Sequence, residues 1–147
     1  MSNYKKIIVA IDGSKEAEYA FKEAIKIAQK NDSTLLLVHV IDLRTFATIN
    51  AYDQSIVERA DSYAQELLET YKEEAINAGI ENVSIIIEYG SPKVKISKDI
   101  AQKYEADLIL CGATGLNAVE RFLIGSVSEY IVRHAKCDVL VVRTNKQ

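Results

Sequence analysis

Short apolar segments alternate along the chain with longer segments in which apolar residues recur every three or four positions. The short segments are residues 6–11, 35–41, 83–89, 107–111 and 138–142. Four of them are almost continuously apolar, which is typical of parallel β-strands covered by helices on both faces. Ser84 and Glu88 interrupt the third segment, and we therefore expect that strand at an edge of the sheet.

The longer segments predict four amphipathic helices. Ser14 is in position to cap the amino terminus of the first helix, and Gly79 to end the second. Ser91 and Pro92 begin the third, and residues 126–135 form the fourth. The residues expected to face the core are Ala17, Ala20, Phe21, Ala24, Ile25 and Ala28; Ile56, Ala60, Ala64, Leu67, Leu68, Tyr71 and Ala75; Ile96, Ile100 and Ala101; and Val127, Tyr130, Ile131 and His134.

Strands that alternate with helices through short links predict an α/β fold with a parallel sheet and right-handed crossovers. Five such strands are too few for a barrel of eight, so the expected fold is a doubly wound five-stranded parallel sheet. The chain shows no linker, internal repeat or change of composition. We therefore expect one domain over residues 1–147.

Composition narrows the classes of function. Of the 147 residues, 48% are apolar and 27% are charged, and the net charge of −3 argues against general nucleic-acid binding. The apolar runs are too short for a membrane helix, and the amino terminus lacks the features of a signal peptide. Cys111 and Cys137 lie in apolar surroundings without the spacing of metal ligands. Reduced thiols are favoured over a disulfide, and a cytoplasmic protein is expected.

Two connections are longer than the rest, residues 42–51 after the second strand and residues 112–125 after the fourth. Both follow the carboxyl end of a strand, where open α/β sheets bind ligands. Ordinary surface loops remain an alternative, and a weaker one for the second connection because of its glycines.

The second connection contains Gly112-Ala-Thr-Gly115, then nine residues, then Gly125-Ser126 at the start of a helix. A helix amino terminus presents free backbone N–H groups and the positive end of the helix dipole, which suits a phosphate. The spacing is neither a Walker A loop nor the G-x-G-x-x-G fingerprint. The expected donors are the backbone N–H groups of Gly125, Ser126 and Val127 and the hydroxyls of Ser126 and Ser128.

The pattern Gly112-x2-Gly115-x9-Gly125-Ser126 resembles the nucleotide-binding signature of the universal stress protein family, in its ATP-binding branch. Residues 7–14 resemble the opening strand and turn of that family, and residues 134–142 resemble its closing strand, so the similarity spans the whole chain. The resemblance implies a flavodoxin-like, HUP-type sheet with strand order 3-2-1-4-5.

The same resemblance implies a set of ligand contacts. Asp12 would face the nucleotide, contacting the ribose or a water bound to Mg or Mn, although an ordinary turn residue is the alternative. The backbone of Val40 would hydrogen-bond adenine, and Ala10 and Ile11 would line an apolar wall. The residues implied to pass beneath the ribose and phosphates are Gly112, Thr114, Gly115 and Asn117.

We therefore expect a cytoplasmic protein that binds ATP, or AMP or ADP, and has a regulatory or sensing role in the stress response. The resemblance implies a homodimer that forms through the closing strand, residues 138–143. Asp12 is the one general base visible beside the phosphate site, so fast hydrolysis is not expected. The alternatives are a slow metal-dependent ATPase or phosphotransferase using Asp12, and a chaperone-like interaction dimer that needs no nucleotide.

Overall fold

Five parallel strands form one sheet in the order β3-β2-β1-β4-β5, as predicted. The computed structural model describes residues 4–42, 54–114 and 124–143. The strands are β1 (Lys6–Ala10), β2 (Thr34–Ile41), β3 (Asn82–Tyr89), β4 (Leu108–Gly112) and β5 (Asp138–Val142). The polar-interrupted strand β3 lies at one edge, which confirms its predicted place, and β5 lies at the other.

Four helices connect the strands in the described part of the chain. They are α1 (Lys15–Asn31), α2 (Gln54–Asn77), α3 and α4 (Ser126–His134), where α3 runs without a break through Pro92–Val94, Lys95–Ile100 and Ala101–Lys103. The middle part of α3 winds as a π-helix. Apolar periodicity did not predict that wider turn, although Ile96 and Ile100 are buried as expected.

The sheet separates two apolar clusters, because successive side chains of a strand point to opposite faces. Ile7 and Val9 of β1 pack with Phe21 of α1 and Leu68 of α2 on one face. On the other face Ile8 packs with residues of α3 and α4, among them Ile100 and Ile131. Helices therefore cover both faces of the sheet, which is the doubly wound arrangement.

Two of the predicted helix ends, at Ser14 and Gly79, are confirmed. The Ser14 Oγ accepts a hydrogen bond from the Ala17 N–H at 3.1 Å, so Ser14 caps the amino terminus of α1. Gly79 follows α2 with φ of +95°, and the Ile80 N–H donates to the Ala75 carbonyl at 3.1 Å. A positive φ and this hydrogen bond are typical of a helix that ends at a glycine, and the chain then turns toward β3.

Cys111 is buried in β4 and Cys137 is half-buried before β5, and both thiols are free. Burial is the largest influence on each thiol and raises its pKa. Both groups therefore stay protonated at neutral pH. None of the helices in the described ranges is long and apolar enough to cross a bilayer.

The cap of α1 offers a test of the fold. Ser14→Ala removes the acceptor of the Ala17 N–H, and we expect the free energy of unfolding in urea to fall by about 1 kcal/mol. Ser91 occupies the same position before α3 but its side chain makes no capping hydrogen bond, so Ser91→Ala is the matched control and should change stability much less. Equal losses in the two variants would contradict the assigned cap.

Candidate functional site

The candidate site is the crevice where the order of the strands reverses, between β1 and β4. These strands are neighbours, with Ile7 opposite Leu108 and Val9 opposite Leu110. After β1 the chain enters α1 on one face, and after β4 it reaches α4 on the other. The connections separate there, which leaves a gap above the carboxyl ends of the two strands.

Asp12 forms the turn that leads out of β1. Its Oδ1 accepts a hydrogen bond from the Ser14 N–H at 2.9 Å, and the side chain is half-buried. Gly13 has φ of +89°, and a Cβ at this position would lie 2.7 Å from the Tyr63 Oη. One oxygen of Asp12 therefore holds the turn, which is the alternative role that the sequence left open, while its contact with a nucleotide stays a prediction.

Gly112 ends β4 against the first turn of α1. A Cβ at this position would lie 2.7 Å from the Glu16 Cβ, 3.0 Å from the Glu16 carbonyl carbon and 3.1 Å from the Ala17 nitrogen. The first distance is shorter than real Cβ atoms show, and the other two, to backbone atoms, are tighter than most real Cβ contacts. The absence of a side chain at Gly112 is therefore required by the approach of α1, whatever a ligand needs.

Glu16 joins the two sides of the crevice and was not predicted as a site residue. Its Oε1 accepts a hydrogen bond from the Thr114 N–H at 2.5 Å and another from the Thr114 Oγ1 at 2.7 Å. The sequence shows only an acidic residue in the first turn of a helix, which has an ordinary explanation in the helix dipole.

The two ends of the glycine-containing connection meet below α4. The Gly125 N–H donates to the Ala113 carbonyl at 2.7 Å, and the buried Ser128 hydroxyl donates to the Gly112 carbonyl. Gly125 precedes α4 with φ of −65° and ψ of 160°, a backbone that any residue adopts. The amino terminus of α4 is therefore anchored beside the end of β4.

The predicted phosphate donors lie in different surroundings. Ser126 is exposed and Val127 is half-buried in the first turn of α4, whereas the Ser128 hydroxyl is already used by the fold. The Gly125 N–H is likewise used, by Ala113. The backbone N–H groups of Ser126 and Val127 lie in the first turn of α4, at the crevice. Gly115 and Asn117, predicted to pass beneath the ligand, lie outside the described residues.

The predicted adenine contacts lie where β2 extends beyond β1. The register pairs Ala10, the last residue of β1, with Val38, and the Ile11 N–H donates to the Val38 carbonyl at 2.8 Å. Because peptide groups alternate in direction along a strand, the N–H and C=O of Val40 face the same side as those of Val38. They are therefore directed above the end of β1, beside Ala10 and Ile11.

His39 supports this corner of the crevice and was not among the predicted site residues. Its Nδ1 lies 2.7 Å from the Ile11 carbonyl oxygen, and its ring meets that of Tyr63 edge to face, with ring centres 6.3 Å apart. Since a carbonyl only accepts, Nδ1 carries the proton. The ring thus fixes the chain at Ile11 as it leaves β1.

Two further features define the chemistry of the crevice. Burial raises the pKa of the Cys111 thiol, and the charge of Asp12 acts in the same direction although the Ser128 hydroxyl opposes it. The Cys111 thiol, near the end of β4, is therefore neutral. Within residues 4–42, 54–114 and 124–143, no three His, Cys, Asp or Glu side chains are grouped so that they could hold a metal ion.

The sequence profile of the universal stress protein family matches residues 3–143 of this chain. A protein of Staphylococcus saprophyticus assigned by name to that family is 53% identical over 146 residues, which cover 99% of this chain and 87% of the relative. A relative from Staphylococcus aureus strain USA300, named in the same way, is also 53% identical over 146 residues, with 99% and 88% covered.

Three solved structures of universal stress proteins share the fold. The protein UspA of Lactobacillus plantarum has a TM-score of 0.85 and 30% identity, with 97% of this chain and 100% of that chain covered. One in complex with cAMP has a TM-score of 0.73 and 27% identity, with 98% and 100% covered. One from Arabidopsis thaliana with AMP bound has a TM-score of 0.67 and 25% identity, with 96% and 92% covered.

The close approach at Gly112 predicts a loss of stability on substitution. Gly112→Ala forces α1 and β4 apart, and we expect the free energy of unfolding to fall by about 2 kcal/mol in urea titration. Gly125→Ala, at the other end of the same connection, is the control and should cost less than about 1 kcal/mol because its φ and ψ suit alanine. A Gly112→Ala protein as stable as the wild type would contradict the contact.

Proposed function

The chain belongs to the universal stress protein family, and on that premise we propose that it binds an adenine nucleotide, ATP foremost, in the crevice between β1 and β4. The observation that carries the proposal is the hydrogen bond from the Gly125 N–H to the Ala113 carbonyl. It places the amino terminus of α4 at the carboxyl end of β4, in a crevice of the kind that accepts nucleotides. Structural neighbours with cAMP and AMP bound support the choice of ligand.

The phosphates would bind at the first turn of α4. The backbone N–H groups of Ser126 and Val127 supply donors, the exposed hydroxyl of Ser126 supplies another, and the helix dipole favours negative charge. Ser128 contributes through its bond to the Gly112 carbonyl, which holds the helix in place. Gly125 leaves room for the phosphates, while Gly115 and Asn117 are proposed to continue the cradle.

The adenine ring would bind above the end of β1. Val40 offers one N–H donor and one C=O acceptor there, which is the pair needed to read one edge of the base. Ala10 and Ile11 form the adjoining apolar wall. Since the ring of His39 is bonded to the Ile11 carbonyl, this wall is held in position by the fold before any ligand arrives.

A divalent cation, Mg or Mn, would enter with the nucleotide, because Mg in such sites takes part of its ligands from phosphate oxygens. Asp12 is the residue proposed to contact it, directly or through water, or else to contact the ribose. The bond from the Ser14 N–H to Asp12 Oδ1 fixes the side chain at the mouth of the crevice. The cation would balance the negative charges that the phosphates bring near this carboxylate.

A binding and regulatory role in the stress response, as a cytoplasmic sensing protein, fits the site better than turnover. The Asp12 carboxylate accepts a hydrogen bond from Ser14, and the Glu16 carboxylate accepts two from Thr114. Each is thus engaged in holding the backbone, which is a poor arrangement for taking a proton from an attacking water. The free thiols of Cys111 and Cys137 support the proposed compartment.

The proposed phosphate site predicts how Gly125→Val changes binding. A branched side chain before α4 projects into the space of the phosphates, so we expect ATP and AMP to lose several kcal/mol of binding free energy. Adenosine, which has no phosphate, should lose much less, and the unliganded protein should melt only slightly earlier. Calorimetric titration of the three ligands into both proteins measures this.

The same titration tests the function itself. Binding of ATP and AMP to the wild-type protein is expected, and nucleotide should be recovered when freshly purified protein is extracted. If the wild-type protein binds neither nucleotide, the alternative of a chaperone-like dimer that needs no ligand is favoured. If Gly125→Val weakens adenosine and ATP equally, Gly125 serves the backbone and the phosphate assignment is wrong.

We also propose a homodimer formed through β5, residues 138–143, with the two strands antiparallel across a two-fold axis. The strand ends the sheet on one side, and Leu140 on it is 37% exposed. The Ala113 N–H donates to the Val142 carbonyl at 2.8 Å, so the peptide of Val142 faces β4. The peptides of Val139 and Val141 therefore face the open edge, where a second copy could pair with them.

The alternation of peptide directions predicts opposite results for two proline substitutions. Val141→Pro removes a donor that faces the open edge, so we expect a folded monomer in sedimentation where the wild-type protein is a dimer at micromolar concentration. Val142→Pro is the control, since it removes a donor that faces β4 and should cost about 3 kcal/mol of stability. A monomeric wild-type protein under these conditions would contradict the proposed dimer.

A further inference from the structure

The crevice contains an anionic side chain of the protein itself, the carboxylate of Glu16. Glu16 Oε1 takes both the backbone N–H of Thr114 at 2.5 Å and its hydroxyl at 2.7 Å. A carboxylate bound by a backbone N–H and a hydroxyl of one residue is held as a phosphate oxygen would be. Thr114 is the residue that follows Ala113, whose carbonyl accepts the Gly125 N–H. Its two donors therefore lie at the base of the proposed phosphate cradle.

The fold keeps this carboxylate in place. The Glu16 backbone lies directly against Gly112, where a Cβ would come within 3.0 Å of the Glu16 carbonyl carbon. Glu16 also lies in the first turn of α1, whose dipole favours a negative charge. The position of the main chain and the local field thus both direct the carboxylate toward Thr114.

We propose that Glu16 is a specificity-determining residue of the nucleotide site, which competes with ligand phosphate for the donors of Thr114 and selects against ligands whose phosphate charge is not balanced by a cation. The inference rests on the proposed function, since it concerns ligands of the same crevice. A phosphate oxygen takes the Thr114 donors only when the Glu16 carboxylate leaves them. The displaced carboxylate then lies close to the phosphates, and the repulsion increases with their charge.

The proposal makes the effect of Glu16 depend on the number of phosphates. Adenosine brings no negative charge and does not need the Thr114 donors, so the carboxylate should not affect its binding. AMP should be affected moderately and metal-free ATP most. The unmodified protein should therefore favour adenine nucleotides of low charge more strongly than a protein without this carboxylate.

The test compares Glu16→Gln with Glu18→Gln by calorimetric titration of adenosine, AMP and ATP in the presence of a chelator. Glutamine keeps the size of the side chain but removes its charge. We expect Glu16→Gln to strengthen binding of ATP roughly tenfold, of AMP about threefold, and of adenosine less than about twofold. Glu18 is the matched control, because it lies in the same turn of α1 but pairs with Lys22 at 3.8 Å. Glu18→Gln should change all three affinities less than about twofold.

A second readout follows the contact without relying on affinity. In the NMR spectrum of the wild-type protein, the Thr114 amide should resonate far downfield, as expected for a short hydrogen bond to a carboxylate. Both ATP and the Glu16→Gln substitution should move that resonance, whereas Glu18→Gln should leave it unchanged. A Thr114 amide that is insensitive to Glu16→Gln would overturn the proposal.

The remaining outcomes are equally decisive. Weaker adenosine binding by Glu16→Gln would show that Glu16 binds the ribose. An unchanged ATP affinity would show that Glu16 does not compete with phosphate for the Thr114 donors. Either result overturns this inference but leaves the proposed nucleotide binding intact. ATP binding that appears only in Glu16→Gln would support the inference strongly. Failure of both proteins to bind any of the three ligands would overturn the proposed nucleotide function, and the inference with it.

Discussion

The contact between Gly112 at the end of β4 and the first turn of α1 is the constraint on which the rest of the crevice depends. A methyl group at Gly112 would come within 2.7 Å of the Glu16 Cβ and 3.0 Å of the Glu16 carbonyl carbon. The first turn of α1 therefore lies so close to the end of β4 that only a residue without a side chain fits at position 112. This closeness brings Glu16 within hydrogen-bonding distance of Thr114.

The candidate site is held together chiefly by groups that do not need a ligand. The Ser128 hydroxyl bonds the Gly112 carbonyl, the Gly125 N–H bonds the Ala113 carbonyl, and the Ser14 N–H bonds Asp12. Each bond fixes the start of a helix relative to the end of a strand. The backbone groups proposed to meet a nucleotide are thus positioned by neighbours whose own polar groups are already satisfied, which lowers the ordering cost of binding.

The helix faces were predicted except at His134, which is exposed in the last turn of α4, and the full strand order was implied by the family resemblance. Sequence patterns predicted the five strands, the edge position of β3 and the caps, because each depends on residues close together in the chain or on hydrophobic periodicity. Ser14 and Gly79 are examples, since their capping partners lie within five residues. The Glu16–Thr114 contact could not be predicted in this way, because 98 positions separate the two residues and either alone has an ordinary local explanation. The role of Gly112 was only half predicted, since the sequence suggested closeness to a ligand and the structure shows closeness to α1.

The extension of β2 beyond β1 has a consequence for how such a protein diverges in evolution. Val40 directs its peptide over the end of β1, whereas the neighbouring peptides face β3, as the bond from the Gly90 N–H to the Ile41 carbonyl shows. The peptides of β2 that face β1 recur at every second residue, so a one-residue change at the end of β1 leaves the same peptide of β2 unpaired. The depth of this corner of the crevice therefore changes in evolution by two residues at a time, or about 7 Å.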